Sequence, residues 1–228
     1  METPPPQPPQ PPFNYTSPST PLDIGRCLNE SLAVYQKNIF ILVLAAVIFH
    51  GLSLVSLTVL TGPLWGGIYV MTIAALTSPD KKIDINLMFS QFGRFGPLLG
   101  LFLLTVIPTL FGFALLIVPG VLLMTLWMYS FPLLIERNMS ITQAMTASWR
   151  IVLRNGLAWN LLLSAIIFAL ALVPTLLPHI WVIGWFLAPI TWLMVSSAYI
   201  QQVREREEEL ADILSPRGFP VEPNPATT

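Results

Sequence analysis

Charged residues leave three long stretches of the chain without any charge: Asn38 to Pro79, Phe95 to Ile135 and Asn155 to Val203, of 42, 41 and 49 residues. A helix crosses the hydrocarbon core of a bilayer in about 20 residues, so each stretch is long enough to cross, turn and return. Turn-forming residues stand near the middle of each, at Thr61-Gly62-Pro63, at Val118-Pro119-Gly120 and between Pro174 and Gly184, with Pro178 and His179. The pattern predicts an all-α membrane bundle of six transmembrane helices in three hairpins. The second helix, about Leu64 to Ser78, is the shortest, and a re-entrant segment there would break the count. A soluble fold would need a polar face on each helix, which these uncharged stretches do not offer.

The polar segments ahead of the hairpins carry a different period. Ile24, Cys27, Leu28, Ser31, Leu32 and Tyr35 form the stripe of an amphipathic helix, with Arg26, Asn29, Glu30 and Lys37 on its other face. Ile141, Ala144, Met145, Ser148, Trp149 and Val152 repeat that stripe 117 residues later, since 141 − 24 = 117, and Lys37-Asn38 match Arg154-Asn155 at the same offset. A shortened version, Ile85, Met88, Phe89 and Phe92, precedes the middle hairpin. Each hairpin is therefore expected to follow an amphipathic helix at the cytoplasmic interface, in repeat units of about 21–79, 82–137 and 139–203. Ser140 with Gln143 fits a capping box, and Thr20-Pro21 fits an N-cap with proline at the first helical position. Two placements suit the stripes: the headgroup boundary, with Trp149, Phe89 and Phe92 toward lipid, and a connector packed on the inner face of the bundle.

Charge placement orients the chain. All 11 Lys and Arg residues fall outside the three stretches, and basic residues are retained on the cytoplasmic side. Both termini are thus expected inside, with the lipid bilayer as the first partner. Composition agrees, with 54% hydrophobic and 10% charged residues against roughly 25% charged in a soluble domain. A net charge of −1 gives no basic excess for nucleic acid. The start lacks the basic-then-apolar order of a signal peptide and is expected to be retained. Residues 1–20, rich in proline and glutamine, and the proline-rich chain beyond Ser215 are expected to be disordered. In 204–228, Arg204 to Leu210 is expected to carry the last helix into the cytoplasm as a solvated end.

The stretches hold no Asp or Glu, which argues against sodium- or proton-coupled transport. His50 is the ionisable group nearest a helix centre; it either protonates in a pathway or stays neutral, bonded to a hydroxyl or carbonyl. Asn160, one turn into the fifth helix, is expected to bond across helices or to a headgroup. Gly62 with Gly66, and Gly96 with Gly100, have the spacing for close helix approach. Pro108, Pro132, Pro174 and Pro189 are expected to kink their helices. Cys27 stands far from His50 and His179, so no zinc spacing exists, and there is no G-x-S-x-G, P-loop or H-E-x-x-H. No catalytic residue, metal or cofactor is assigned.

The run Ile117-Val118-Pro119-Gly120-Val121, then Trp127, Tyr129, Pro132, Glu136, Ala144, Ser148-Trp149 and Arg154-Asn155-Gly156, resembles a poorly characterised group of bacterial six-helix integral membrane proteins. The group includes the membrane domain fused to some glycerophosphodiester phosphodiesterases. Gly62-Pro63-Leu64-Trp65-Gly66-Gly67 resembles the opening of its second helix. The resemblance spans roughly residues 21–203 and implies a six-helix bundle in a bacterial cytoplasmic (inner) membrane. None of the enzyme's catalytic residues has a matching position, so phosphodiesterase activity is not carried over. Two functions remain open. One is a non-enzymatic protein that organises or supports envelope components through a membrane or cytoplasmic protein partner. The other is a small-solute or lipid transporter or channel-like protein, which an open cavity lined by several polar groups would favour and a tightly packed interior would oppose.

Overall fold

The structure, a computed structural model, describes residues 22–78, 80–176 and 182–214. The expected Thr20-Pro21 cap, the Pro178-His179 tip, the head and the tail beyond Ser215 lie outside them. Among the described residues every regular element is helical. Helix α1 (Ile24–Lys37) is capped by Asp23, whose carboxylate accepts the Arg26 N–H at 2.9 Å. It buries Cys27, Ser31, Val34 and Tyr35. At Asn38 the pattern changes from one apolar stripe to residues apolar on nearly every side, and α2 (Ile39–Val55) leaves at 95° to α1.

The chain turns at Ser56–Leu60, where Leu57 and Thr58 take φ of 50° and 69°. Helix α3 (Thr61–Thr77) follows. Gly62 and Pro63, expected in the turn, instead lie in the first turn of α3, where the missing proline N–H is not needed. Residues 80–94 then fold back along α3 rather than forming an amphipathic α-helix. They make two 3-10 turns, Ile85–Phe89 and Phe92–Arg94. Glycine is the reason this path exists: a Cβ on Gly67 would lie 1.8 Å from the Met88 carbonyl oxygen, and one on Gly62 2.5 Å from that of Leu98.

Helix α4 (Phe95–Leu115) crosses α3 at Leu98, against Gly62 and Gly66, close to the N-terminal end of each helix. In a row of upright hairpins those two ends would lie at opposite surfaces. Helix α5 (Ile117–Leu126) returns after a single extended residue, Leu116. Pro119 and Gly120 are therefore in its first turn and not in the expected loop. A Cβ on Gly112 would come within 2.9 Å of the Gly120 nitrogen, and one on Gly120 within 2.2 Å of the Phe113 ring, so small residues permit the tight reversal. Helix α6 (Ser130–Glu136) continues α5 after a break at Trp127–Tyr129. Pro132 accounts for the break, because it has no N–H for the carbonyl four residues back, that of Met128.

Helix α7 (Ile141–Arg154) has the predicted capping box between Ser140 and Gln143. Its length, both its ends, its flanking Asn155 and its buried Ala144, Ser148, Ile151 and Val152 each lie 117 positions after their counterparts in α1. Gly156, at φ 103°, leads into α8 (Leu157–Leu176). Helix α9 (Ile183–Tyr199) runs on through a π-helical turn, Ile200–Arg204. The short α10 (Ala211–Leu214) is the last described element.

Four helical runs are long and apolar enough to cross a membrane: α4 with the turns before it, α5 with α6, α8, and α9 with its π-turn. The bent pair α1–α2 is a fifth candidate. At 17 residues, α3 spans about 26 Å, below the roughly 30 Å of the hydrocarbon core. Two hydrophobic clusters share the interior, one around Leu98, Tyr129, Ala144 and Tyr199, the other around Leu42, Ile68, Met71 and Leu193.

The segment after α9 departs from expectation. Glu207, Glu208 and Glu209 are exposed, but Val203, Leu210 and Ile213 are buried, and Arg204, Glu205, Glu207 and Asp212 meet opposite charges from earlier in the chain. Leu210 and Ile213 complete the first cluster, and that apolar gain bends the segment back over the bundle.

Candidate functional site

A collar of ion pairs surrounds the C-terminal end of α9. Arg204 forks onto the Glu136 carboxylate at the end of α6, its Nε at 3.0 Å. Arg26 on α1 holds both Glu205 oxygens at 2.7 and 2.9 Å and the Glu30 carboxylate at 2.7 Å. The other Glu30 oxygen accepts the Ser197 hydroxyl at 2.7 Å. Arg137 pairs with Glu207, and Arg154 with Asp212 at 2.6 Å. Helices α1, α6 and α7 are thereby all tied to one segment of ten residues or so. The hydrogen bond from Arg137 pulls Glu207 below the ordinary carboxylate range, and that from Arg154 does the same to Asp212. Burial pushes the Cys27 thiol up to about 12, which leaves it protonated and unreactive.

Above the collar, α3, α4, α5, α8 and α9 touch in sequence around a ring. Inside is a cavity of about 310 Å³, lined by three indoles (Trp65, Trp127, Trp192), Met124, Met128, Phe131 and aliphatic side chains. Five hydroxyls reach its wall, those of Tyr69, Thr105, Thr109, Ser164 and Thr191, and the last four are already committed. Thr105, Thr109 and Thr191 donate to carbonyls of their own helices at 2.7–2.8 Å, and Ser164 donates to the Met128 sulfur at 3.7 Å. A second pocket of about 280 Å³ lies on the collar side, lined by Thr77, Pro132, Ile135 and the Glu136–Arg204 pair. Tyr69 belongs to both linings, with its ring 6.1 Å from that of Phe131. The arrangement can hold an apolar body, and its lining also carries the Tyr69 hydroxyl and three indole N–H donors.

The residues singled out in the sequence are scattered. His50 is exposed on α2, its Nδ1 2.7 Å from the Ala46 carbonyl oxygen and its ring stacked 6.5 Å from Trp192. It reaches neither cavity. Asn160 is fully buried and works between helices: its Oδ1 accepts the Tyr129 hydroxyl at 2.6 Å, and its Nδ2 donates to the Gly156 carbonyl at 3.0 Å. Ser148 repairs the α5–α6 break, donating to the Leu126 carbonyl at 2.8 Å and accepting the Tyr129 N–H at 3.1 Å. Its neighbour Trp149 remains 51% exposed. Gly62 and Gly66 meet α4, whereas Gly96 has nothing within 4 Å and Gly100 meets only the tip of Ile141. The close-approach expectation therefore fails at Gly96, and Gly67 is the position the spacing rule passed over.

Glu136 and Arg204 were not recognisable as a pair from the sequence. They are 68 residues apart, and each merely marks the edge of an uncharged stretch. Cavity residues such as Tyr69 and Met124 give no signal, since an apolar wall and an apolar core have one composition. Comparisons with protein-family models, with curated proteins and with solved structures each find no match. What fold and site define is a class: an all-helical protein with four to five helices able to cross a membrane.

Proposed function

We propose that this chain is a non-enzymatic integral membrane protein that organises or supports membrane components, with six apolar segments in three hairpins and both termini cytoplasmic. In this reading the bilayer thins locally around α2 and α3 to match the short α3. The collar is the observation that carries it. The arginines and carboxylates at this end close on one another, so the inner face is a fixed platform rather than a charged passage. Its concentration of basic residues supports the cytoplasmic orientation. The resemblance to the bacterial six-helix group supports placement in a bacterial inner membrane, and the matched caps and ends of α1 and α7 support an internal repeat. Helices α1 and α7 pack one face on the bundle and leave Leu28, Trp149 and Leu153 exposed, an edge suited to lipid or to a partner's helix.

The central cavity favours one other reading, a protein that handles lipid or an apolar solute. Crosslinking and co-purification from native membranes, analysed by mass spectrometry with lipids retained, separates the two. A reproducible protein partner joined through α1 or α7 is expected; enrichment of one lipid or solute without a protein partner would replace the organising role with the second reading. For topology, a Thr58→Cys variant made on a Cys27→Ser background is expected to react with an impermeant reagent outside intact cells. Reaction only after lysis would make α2–α3 re-entrant or reverse the orientation.

A further inference from the structure

We propose that the cavity inside the ring of α3, α4, α5, α8 and α9 is a binding site for one acyl chain of a bilayer phospholipid. The inference rests on the membrane-spanning reading above.

Wall chemistry is the first ground. The lining is largely apolar, with the indoles of Trp65, Trp127 and Trp192 and the thioethers of Met124 and Met128 among aliphatic side chains, while the threonine hydroxyls donate to carbonyls of their own helices. Beyond the Tyr69 hydroxyl and the indole N–H groups the lining is apolar or already hydrogen-bonded, so a strongly polar occupant would lose more on desolvation than this wall returns. Left empty, the lining would forfeit dispersion contacts. Methionine adapts its shape to an irregular neighbour, which suits a flexible chain.

Access is the second ground. Leu110 of α4 and Ala171 of α8 are lining residues that are also exposed, so the edge of the cavity reaches the outer surface at two helices long and apolar enough to span. The medium outside that rim is lipid tail, present at a concentration no dissolved apolar solute approaches. From Ser164 to Ala171 the wall follows α8 for seven residues, about 10 Å. One leaflet contributes roughly 15 Å of hydrocarbon, so the depth fits the distal part of a chain whose headgroup stays outside the ring.

The test uses the full chain reconstituted in phosphatidylcholine vesicles doped with phosphatidylcholine bearing a diazirine near the end of one acyl chain. After photolysis, adducts are mapped by peptide mass spectrometry. Adducts are expected on Met124, Trp127 or Thr191 inside the ring as well as on outward-facing Leu103 and Phe111. Ala171→Phe at the rim and, separately, Ser164→Leu in the wall are expected to reduce the inner adducts at least fivefold while leaving the outer ones unchanged. Outer adducts without inner ones in the wild-type chain would overturn the proposal and spare the membrane reading, as would inner adducts that persist undiminished in both variants. Loss of adducts from both sets of residues would overturn the membrane reading as well.

Discussion

Asn160 and Gly67 show how single side chains fix this fold. The Asn160 carbonyl oxygen is the acceptor of the Tyr129 hydroxyl, with both groups fully buried. Replacing one partner strands the other, at about 1–3 kcal/mol, whereas replacing both with apolar groups is far milder. Asn160→Leu is therefore expected to lower thermal stability in detergent by that amount, and adding Tyr129→Phe should restore part of it. Equal loss in the single and double variants would remove the hydrogen bond as the cause. At Gly67 the Met88 backbone occupies the place of a side chain, so Gly67→Ala should destabilise by at least about 1–3 kcal/mol through overpacking. Gly96→Ala, facing open space, should stay within about 0.5 kcal/mol; similar melting points for the two would contradict the close approach. The sequence announced Asn160 as a polar residue in an apolar helix, and its partner needed the fold. Gly67 had no such announcement, because a glycine that receives backbone from a return loop follows no fixed spacing.

At the scale of elements, the helices most readily foreseen were those with local signals. Ser140 with Gln143 starts α7, and the change of period at Asn38 ends α1. Turns fared worse. Proline and glycine at 62–63 and 119–120 were read as loop, yet each pair opens a helix, because proline is tolerated in a first turn as readily as between helices. The 80–94 segment carried an amphipathic stripe too short to hold an α-helix against the groove that α3 offers. The segment after α9 was read as solvated because its charges alternate in sign; its partners on α1, α6 and α7 lie 58 to 179 residues away, beyond any local rule. Its pairs also give this element a pH dependence. Glu207 and Asp212 are held below their ordinary range, so their contribution is present above roughly pH 4 and is lost as pH falls through the depressed values. Hydrogen exchange of the amides at 205–214, corrected for intrinsic rate, should stay slow at pH 6–7 and accelerate below about pH 4. Exchange equally protected at pH 3 would show that Leu210 and Ile213 hold the segment without the pairs.

For the whole molecule, composition was enough to read an all-helical protein with several segments apolar enough to cross a membrane, but not to fix the number of such segments. The span of α3 and its crossing with α4 depend on tilt, and hydropathy does not encode tilt. The collar joins the first described helix to the last. Truncation after Val203 removes Arg204, Glu205, Glu207 and Asp212 together with the buried Leu210 and Ile213. The truncated chain should still partition into membranes and should melt well below the full chain. An unchanged melting temperature would reduce the collar to surface decoration.

The same wiring sets a timetable for synthesis. Arg26 emerges from the ribosome 179 residues before Glu205, and Glu136 leads Arg204 by 68. At roughly 5–20 residues per second, those waits last about 9–36 s and 3–14 s. Through that interval Arg26 and Glu136 wait for Glu205 and Arg204 to be made, while, on the proposed membrane reading, the apolar segments already enter lipid. The final dozen or so described residues therefore act as a closing stitch, and a ribosome that stalls before reaching them releases a chain inserted but unfastened, the kind of product that membrane proteases are suited to recognise.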